Sequence, residues 1–473
     1  MTSNIRLRPL TAPVSPSPTD TNTGAPHHRS FSLKKATRIK LSTAQLLLLF
    51  TAMAVLALLL VLLLAFLGHI DGVRAKNILM PAPDAEHKYK SAVASFSLVD
   101  FSRKDPWDTA ENRKIMLTIF MPIPEKSCSE CAVPYMPDQT AKINNEQFLG
   151  DRNKGVFEQM QYKACCSASG TIDAAKIPLV LVDGHTDTSR LVYSNLARYV
   201  AANNVVVVLI DHPHDSSIVE FEDKSIAYNS GRTSLSNLSP LTSWNATVTK
   251  AIDIRIQDIK FALTSLADLS LLTRSFSAVK FSSALSTSSY AIVGHGLGGT
   301  VATQLGVADP RVRFSINLSG SAPPITQNTA APVYFIGREN FLRDNDINWP
   351  AAWPHLTGPA TEFDLQDSEI MDFTDASVVL ELAQREGGMA GLQAKGLGKQ
   401  GVWANHAVKC FVEGIVKDEL KGDGKAVSNC VRIFGDERMV PYAARLKPKI
   451  EPTVTPGDKE SGAASLRWRR WFA

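Results

Sequence analysis

The stretch Gly294-His295-Gly296-Leu297-Gly298-Gly299 constrains this chain more than any other. It follows Tyr290-Ala291-Ile292-Val293, a short apolar run that reads as a buried strand, and precedes Thr300-Val301-Ala302-Thr303-Gln304-Leu305, which opens a helix. A strand that turns sharply into a helix over glycines has two chemical uses. One presents a nucleophilic serine in the pattern Gly-x-Ser-x-Gly, the flanking glycines clearing room for close-packed backbone. Here the middle position is Gly296, so every part of that turn is present except the hydroxyl. The other use is to cradle the phosphates of a dinucleotide, which calls for an acidic residue at the end of a following strand about 20 residues on. No acid of that kind stands there, which argues against a dinucleotide cofactor.

The 473 residues carry a net charge of only +4, which gives no reason to expect a nucleic-acid partner. The distribution of charge is more informative. From Leu46 to Leu67 the chain is almost wholly apolar, interrupted by Thr51, and its length matches a helix crossing about 30 Å of hydrocarbon. The preceding tail holds Arg6, Arg8, Arg29, Lys34, Lys35, Arg38 and Lys40 against a single acid, Asp20, whereas the other flank mixes Asp71, Arg74, Lys76, Asp84 and Glu86. By the positive-inside rule the tail is cytoplasmic and the body lumenal or extracellular, so the chain reads as a single-pass type II membrane protein. A cleaved signal peptide is the competing reading, but its apolar core is only about 7–15 residues long.

Six cysteines suit an oxidising compartment: Cys128, Cys131, Cys165, Cys166, Cys410 and Cys430. Cys410 with Cys430 is the simplest pairing. The other four staple an insertion in an order that the sequence leaves open. A zinc site beginning at Cys128-x-x-Cys131 would need the adjacent pair Cys165-Cys166 as its second half, a geometry that suits zinc poorly; no metal is expected. Asn237-Leu238-Ser239 and Asn245-Ala246-Thr247 are glycosylation acceptors in a polar stretch, meaningful only on the lumenal side. Asn317-Leu318-Ser319 also matches but ends an apolar run that reads as buried strand.

Residues 1–40, rich in Ser, Thr, Pro and basic groups, read as a disordered cytoplasmic tail, with the anchor over 41–70. A body over 90–445 precedes a second disordered tail over 446–473. That tail ends in Arg467-Trp468-Arg469-Arg470-Trp471-Phe472, a basic aromatic cluster of a kind that can touch a membrane surface or an anionic partner but is more often merely solvated. Within the body, strand-like and helix-like segments alternate, which predicts an α/β fold with a mainly parallel sheet covered on both faces. Val93–Val99 and Ile115–Phe120 read as paired early strands, while Leu179–Val182 and Val205–Ile210 are apolar runs of the kind buried on both faces. Leu191, Leu196, Tyr199 and Val200 fall at helical spacing, a longer helix is expected around Thr247 to Leu269, and Phe314–Leu318 and Val333–Ile336 follow the elbow as strands.

In this order the pieces resemble the platelet-activating factor acetylhydrolase family, a branch of the α/β-hydrolases that cleaves short or oxidised acyl chains from phospholipids. The resemblance rests on Ile177-Pro178-Leu179-Val180-Leu181-Val182-Asp183-Gly184-His185, on Tyr193 through Val208, and on Asp211-His212-Pro213-His214-Asp215. It continues through the elbow, Asp309-Pro310-Arg311-Val312, Asn317-Leu318-Ser319-Gly320 and Phe373-Thr374-Asp375, covering roughly residues 90–385. It implies an α/β-hydrolase fold, a phospholipid ester as substrate, no cofactor, and a serine, aspartate and histidine working together. This chain departs at each of the three positions: Gly296 replaces the serine, Ser319 the aspartate and Ile370 the histidine. The resemblance places the oxyanion donors at the backbone of Leu297 and in the turn Asp183-Gly184-His185-Thr186-Asp187, with Thr186 as the second donor. Asp183 and Asp187 are expected to oppose an oxyanion there.

Asp211-His212-Pro213-His214-Asp215 is the densest cluster of metal-ligand or acid–base side chains, although the resemblance makes Asp-His scaffold at this place. His295 is expected to be packed and structural. Ser319 offers a replacement nucleophile if His185 or His212 lies beside it. The expected function is a membrane-anchored pseudo-hydrolase that binds a phospholipid or a membrane protein. The rivals are an ester hydrolase with relocated catalytic residues and a ligand-free scaffold.

Overall fold

The computed structural model describes residues 42–70, 77–150, 155–229, 241–341, 343–423, 425 and 428–445. The expectations for the two tails and for Asn237 lie outside them. The chain separates into two units, Met1–Arg74 and Ala75–Ala473. In the first, helix α1 spans Thr43–Ile70 and contains the whole apolar run. Its window Thr43–Leu60 has a mean hydropathy of 2.3 and is long and apolar enough to cross a membrane. Leu47, Phe50 and Leu56 are exposed, so no protein core accounts for their apolar character.

The second unit is built on nine strands: β1 Tyr89–Lys104, β2 Asn112–Pro124, β3 Leu179–Asp183, β4 Val206–Asp211, β5 Tyr290–His295, β6 Val312–Leu318, β7 Val333–Arg338, β8 Ala360–Leu365 and β9 Met439–Arg445. They lie in the order β9-β8-β7-β6-β5-β3-β4-β2-β1. From β4 to β8 every neighbour is parallel, while β1, β2 and β9 join antiparallel. The unbroken apolar runs of β3, β4 and β5 follow from burial on both faces. Val180, Val182, Ala291 and Val293 pack on one side with α2 (Ser194–Ala201), α5 (Ala376–Arg385) and α6 (Gly401–Lys421). Leu179, Leu181, Tyr290 and Ile292 pack on the other with α3 (Ala246–Leu266) and α4 (Leu297–Ala308). Period-two alternation thus assigns each strand residue to one of two cores.

The sequence pattern passed over β8 and β9. β8 carries Thr361, Glu362 and Asp364, all buried, and β9 is interrupted by Pro441, so neither presents an apolar run. Glu362 is tolerated inside because Arg343 pairs with it at 2.7 Å. The helix expected to reach Leu269 ends at Leu266, and a separate helix, Leu269–Ser275, starts where the Asp268 side chain accepts the Ser270 N–H. Described strands begin at Ile78, earlier than the expected start at 90. Ile78–Leu79 is too short to register as a pattern and pairs with Met160–Ala168 in a small sheet that also holds Cys128–Pro134.

All six cysteines are disulfide-bonded: Cys128 to Cys165, Cys131 to Cys166, and Cys410 to Cys430. The first two cross-link the facing strands of the small sheet, which leaves no thiolate for the zinc alternative. Disulfides together with an N-terminal apolar helix point to the secretory pathway.

Candidate functional site

The elbow forms where the sequence puts it. Gly296 joins β5 to α4 at φ 55° and ψ −119°, a backbone state that costs a residue with a Cβ about 1–3 kcal/mol. Its N–H donates to the Leu318 carbonyl at 2.9 Å, tying the turn to the end of β6. Gly298 lets α4 run against the Asp183 and Gly184 backbone, where a Cβ has no room. Non-glycine residues also take positive φ at Asp187, His214 and Ser319, in loops beyond β3, β4 and β6. Strained loops are thus gathered at the carboxyl ends of the parallel strands, where open α/β sheets hold their sites.

The space above Gly296 is already filled. A Cβ built there would lie 2.6 Å from both Cγ and Cε1 of His185, and closer still to Nδ1. The Leu297 N–H, expected to stabilise an oxyanion, points instead to His185 Nδ1 at 3.4 Å. Accepting at Nδ1 places the proton of the neutral ring on Nε2. Burial, with the Arg255 and Arg338 charges adding to it, lowers the His185 pKa to about 3 and keeps the ring neutral. Its neighbour His295 stacks on Phe373, with ring centroids 5.4 Å apart, and meets the Tyr193 hydroxyl at Nδ1, 2.8 Å away. Burial first, then His185 and Arg338, hold His295 well below the usual imidazole range. His295 is therefore packed into the structure, as its place in the elbow implies.

The turn that carries His185 is fixed on several sides. Its N–H donates to the Tyr193 hydroxyl at 2.9 Å, and its carbonyl accepts from Thr188 Oγ1 at 2.5 Å. Arg255, fully buried on α3, donates to Asp183 Oδ1 at 2.7 Å, to the Gly184 carbonyl at 2.6 Å and to Asp215 Oδ2 at 2.6 Å. The Thr186 hydroxyl donates to Asp215 Oδ1 at 2.5 Å.

These contacts correct the expectation for Asp183, whose charge is paired and so not free to oppose an oxyanion. A buried carboxylate persists only when paired, and Asp183 is shared by Arg255 and by His212 Nε2 at 3.2 Å. Asp187 accepts from Asn229 at 3.1 Å, while burial raises its pKa. The dense cluster after β4 is likewise engaged in the scaffold. Asp211 binds Arg190, and His212 Nδ1 meets Asp258 at 2.9 Å, which Arg113 pairs at 2.6 Å. Burial alone would disfavour the His212 imidazolium, but Asp183 and Asp258 outweigh it and raise its pKa. Neither His185 nor His212 is hydrogen-bonded to Ser319.

Ser319 follows β6 directly, and its Oγ accepts from Arg338 Nη1 at 2.6 Å. A cation therefore sits where the resemblance calls for an acid. Ile370 opens a short 3-10 turn, Ile370–Phe373, after β8 and lies half-buried with its backbone beside His295. Gly296, Ser319 and Ile370 thus lie at one end of the sheet, and the one hydroxyl among these three, Ser319 Oγ, is bonded to Arg338. Asn245 is exposed and caps α3, its side chain accepting from the Thr247 and Val248 N–H groups; Asn317 is buried in β6.

The family model for platelet-activating factor acetylhydrolase, isoform II, matches residues 110–352, just over half of the chain. The chain belongs to this family. The match contains Gly296 and Ser319 and ends before the Ile370 turn. A probable 1-alkyl-2-acetylglycerophosphocholine esterase of Arthroderma benhamiae is 29% identical over 298 residues, 59% of this chain and 70% of that protein. Among solved structures, a ferulic acid esterase from Streptomyces cinnamoneus shares the fold at 24% identity and a TM-score of 0.56, over 73% of this chain and 94% of the esterase. This platelet-activating factor acetylhydrolase-like chain therefore has an ester-hydrolase fold in which a histidine fills the elbow.

Two outcomes follow from that filling. In denaturant melts of the full chain, Gly296→Ser should cost about 2–6 kcal/mol through backbone strain and overlap with His185. Adding His185→Gly should return the overlap share, about 1–3 kcal/mol; no return would show that the ring is not the obstacle. The His185 pKa is lower folded than unfolded, so its contribution is fully present above its ordinary value of 6.5 and is lost as pH falls towards 3. Between those limits wild-type stability should fall more steeply than that of His185→Asn, by about 1.4 kcal/mol per pH unit. Parallel curves would contradict a buried neutral His185.

Proposed function

We propose that this chain is a membrane-anchored, non-hydrolytic member of its family, which retains the fold to bind a ligand through the altered cleft. The observation that carries this reading is the His185 ring against Gly296, with the Leu297 N–H turned to it. Acyl transfer needs a nucleophile within reach of a base, and a free donor for the oxyanion. Ser319 Oγ is hydrogen-bonded to Arg338, which removes no proton, and the imidazole against Gly296 takes up the oxyanion donor.

The rival, an active ester hydrolase with relocated residues, draws on the name of the Arthroderma benhamiae relative. Turnover of a short-chain ester by a graded series of full-length variants separates the two. Gly296→Ser with Ser319→Asp and Ile370→His should stay inactive, because triad members act as a unit and the elbow remains blocked. Adding His185→Gly should give measurable turnover. Wild-type hydrolysis that disappears in Ser319→Ala would overturn the proposal.

The same reading places α1 as a type II anchor, with the body on the lumenal or extracellular side. Supporting it are the basic tail ahead of α1, the three disulfides and the exposed acceptor Asn245. Protease added to sealed vesicles should remove only the tail, leaving a protected body that carries glycan at Asn245. Digestion of the body would reverse the orientation.

A further inference from the structure

Beyond the loss of hydrolysis, and resting on that reading, we propose that the cleft is a site for an oxyanion head group held by Arg338, the carboxylate of a short acyl chain or the phosphate of a lipid. Arg338 ends β7 half-buried, with its guanidinium 4.3 Å from the centroid of the Phe341 ring. Nη1 donates to Ser319 Oγ at 2.6 Å and reaches the Ser319 carbonyl at 3.5 Å. Among the described residues no carboxylate forms an ion pair with it. The nearby acid Glu369 is exposed and uses its carboxylate to accept the Asp372 N–H, capping the 3-10 turn. Glu339 is exposed next to Arg338 in the chain.

A second observation comes from His185. With Nδ1 taken by Leu297, its proton lies on Nε2, which is buried and has no hydrogen-bond partner. Buried donors are ordinarily satisfied, so one left open at the elbow points to a ligand that accepts. Burial lowers the Arg338 pKa and Glu369 only partly offsets it, so the guanidinium gains from a further anion. Arg338 and His185 are brought to the same turn by the backbone: Arg338 Nη1 bonds Ser319 Oγ, and Gly296, which the His185 ring covers, ties its N–H to the carbonyl of the adjoining Leu318. Planar guanidinium suits carboxylate and phosphate by paired N–H donors. Phe341 is buried and fixes the guanidinium from one side, while the half-buried Ile370 supplies apolar surface at the same end of the sheet for the chain attached to the head group.

The test uses the full chain in nanodiscs, titrated calorimetrically with sodium hexanoate, inorganic phosphate and 1-hexanol, with empty nanodiscs as blank. At least one of the two anions should bind saturably and 1-hexanol should not displace it. Tighter hexanoate identifies a carboxylate ligand, tighter phosphate a lipid phosphate. Arg338→Gln should weaken binding about tenfold or more, whereas Glu339→Gln should not weaken it. Ser319→Ala leaves the guanidinium in place with a spare donor, so binding should be at least as tight; this variant guards against an Arg338→Gln that fails to fold. Binding of neither anion, equal binding by folded Arg338→Gln, or loss in Ser319→Ala overturns the site. Ester turnover by the same preparation is read separately: it would overturn the non-hydrolytic reading, while the titration still judges the anion site.

Discussion

The guanidinium of Arg255 holds the altered cleft in its present form. Three hydrogen bonds run from it to Asp183, to the Gly184 carbonyl and to Asp215, fastening the turn between β3 and α2 from below. The Tyr193 hydroxyl and Thr188 fix the same turn through the His185 backbone. With its main chain so constrained, His185 has its ring directed at Gly296. Removing one partner from such a buried charge network costs about 3–5 kcal/mol, because the remaining charges stay desolvated and unpaired. The plug is therefore rigid, and its rigidity originates in α3, a helix that contributes no residue to the elbow.

Glycine at 296 and histidine at 185 are complementary. Any side chain at 296 meets the ring, while the missing Cβ gives the imidazole room beside the Leu297 N–H. Arg338, bonded to Ser319, sets a cation in the same region. On the proposed reading, a preformed anion gains there a cation and an open donor.

Much of the frame was legible in the sequence. The continuous apolar runs gave β3, β4 and β5, the glycines gave the elbow, and Cys410 with Cys430 followed from spacing. What escaped was polar and buried. Strand β8 hides Glu362 and Asp364 inside the body, so its alternation carries no apolar signal. The order of the four remaining disulfide sulfurs depends on strand register, which the spacing of cysteines does not encode. Arg255 and Asp258 lie on the face of α3 that also presents Ala251, Ile252 and Ile259 to the core. Two charges breaking that apolar stripe were a visible sign that Asp183, His212 and Asp215 have buried partners. The role of His185 was not visible, since it depends on how close the β3 turn comes to the elbow.

The central claim is that this cleft contains no activated serine. Treatment of the purified full-length wild-type protein with a fluorophosphonate, followed by intact mass measurement and peptide mapping, tests it most directly. The account predicts unmodified protein under conditions that fully label an active serine esterase. A stoichiometric adduct on Ser319, or on any other serine of the cleft, would contradict it.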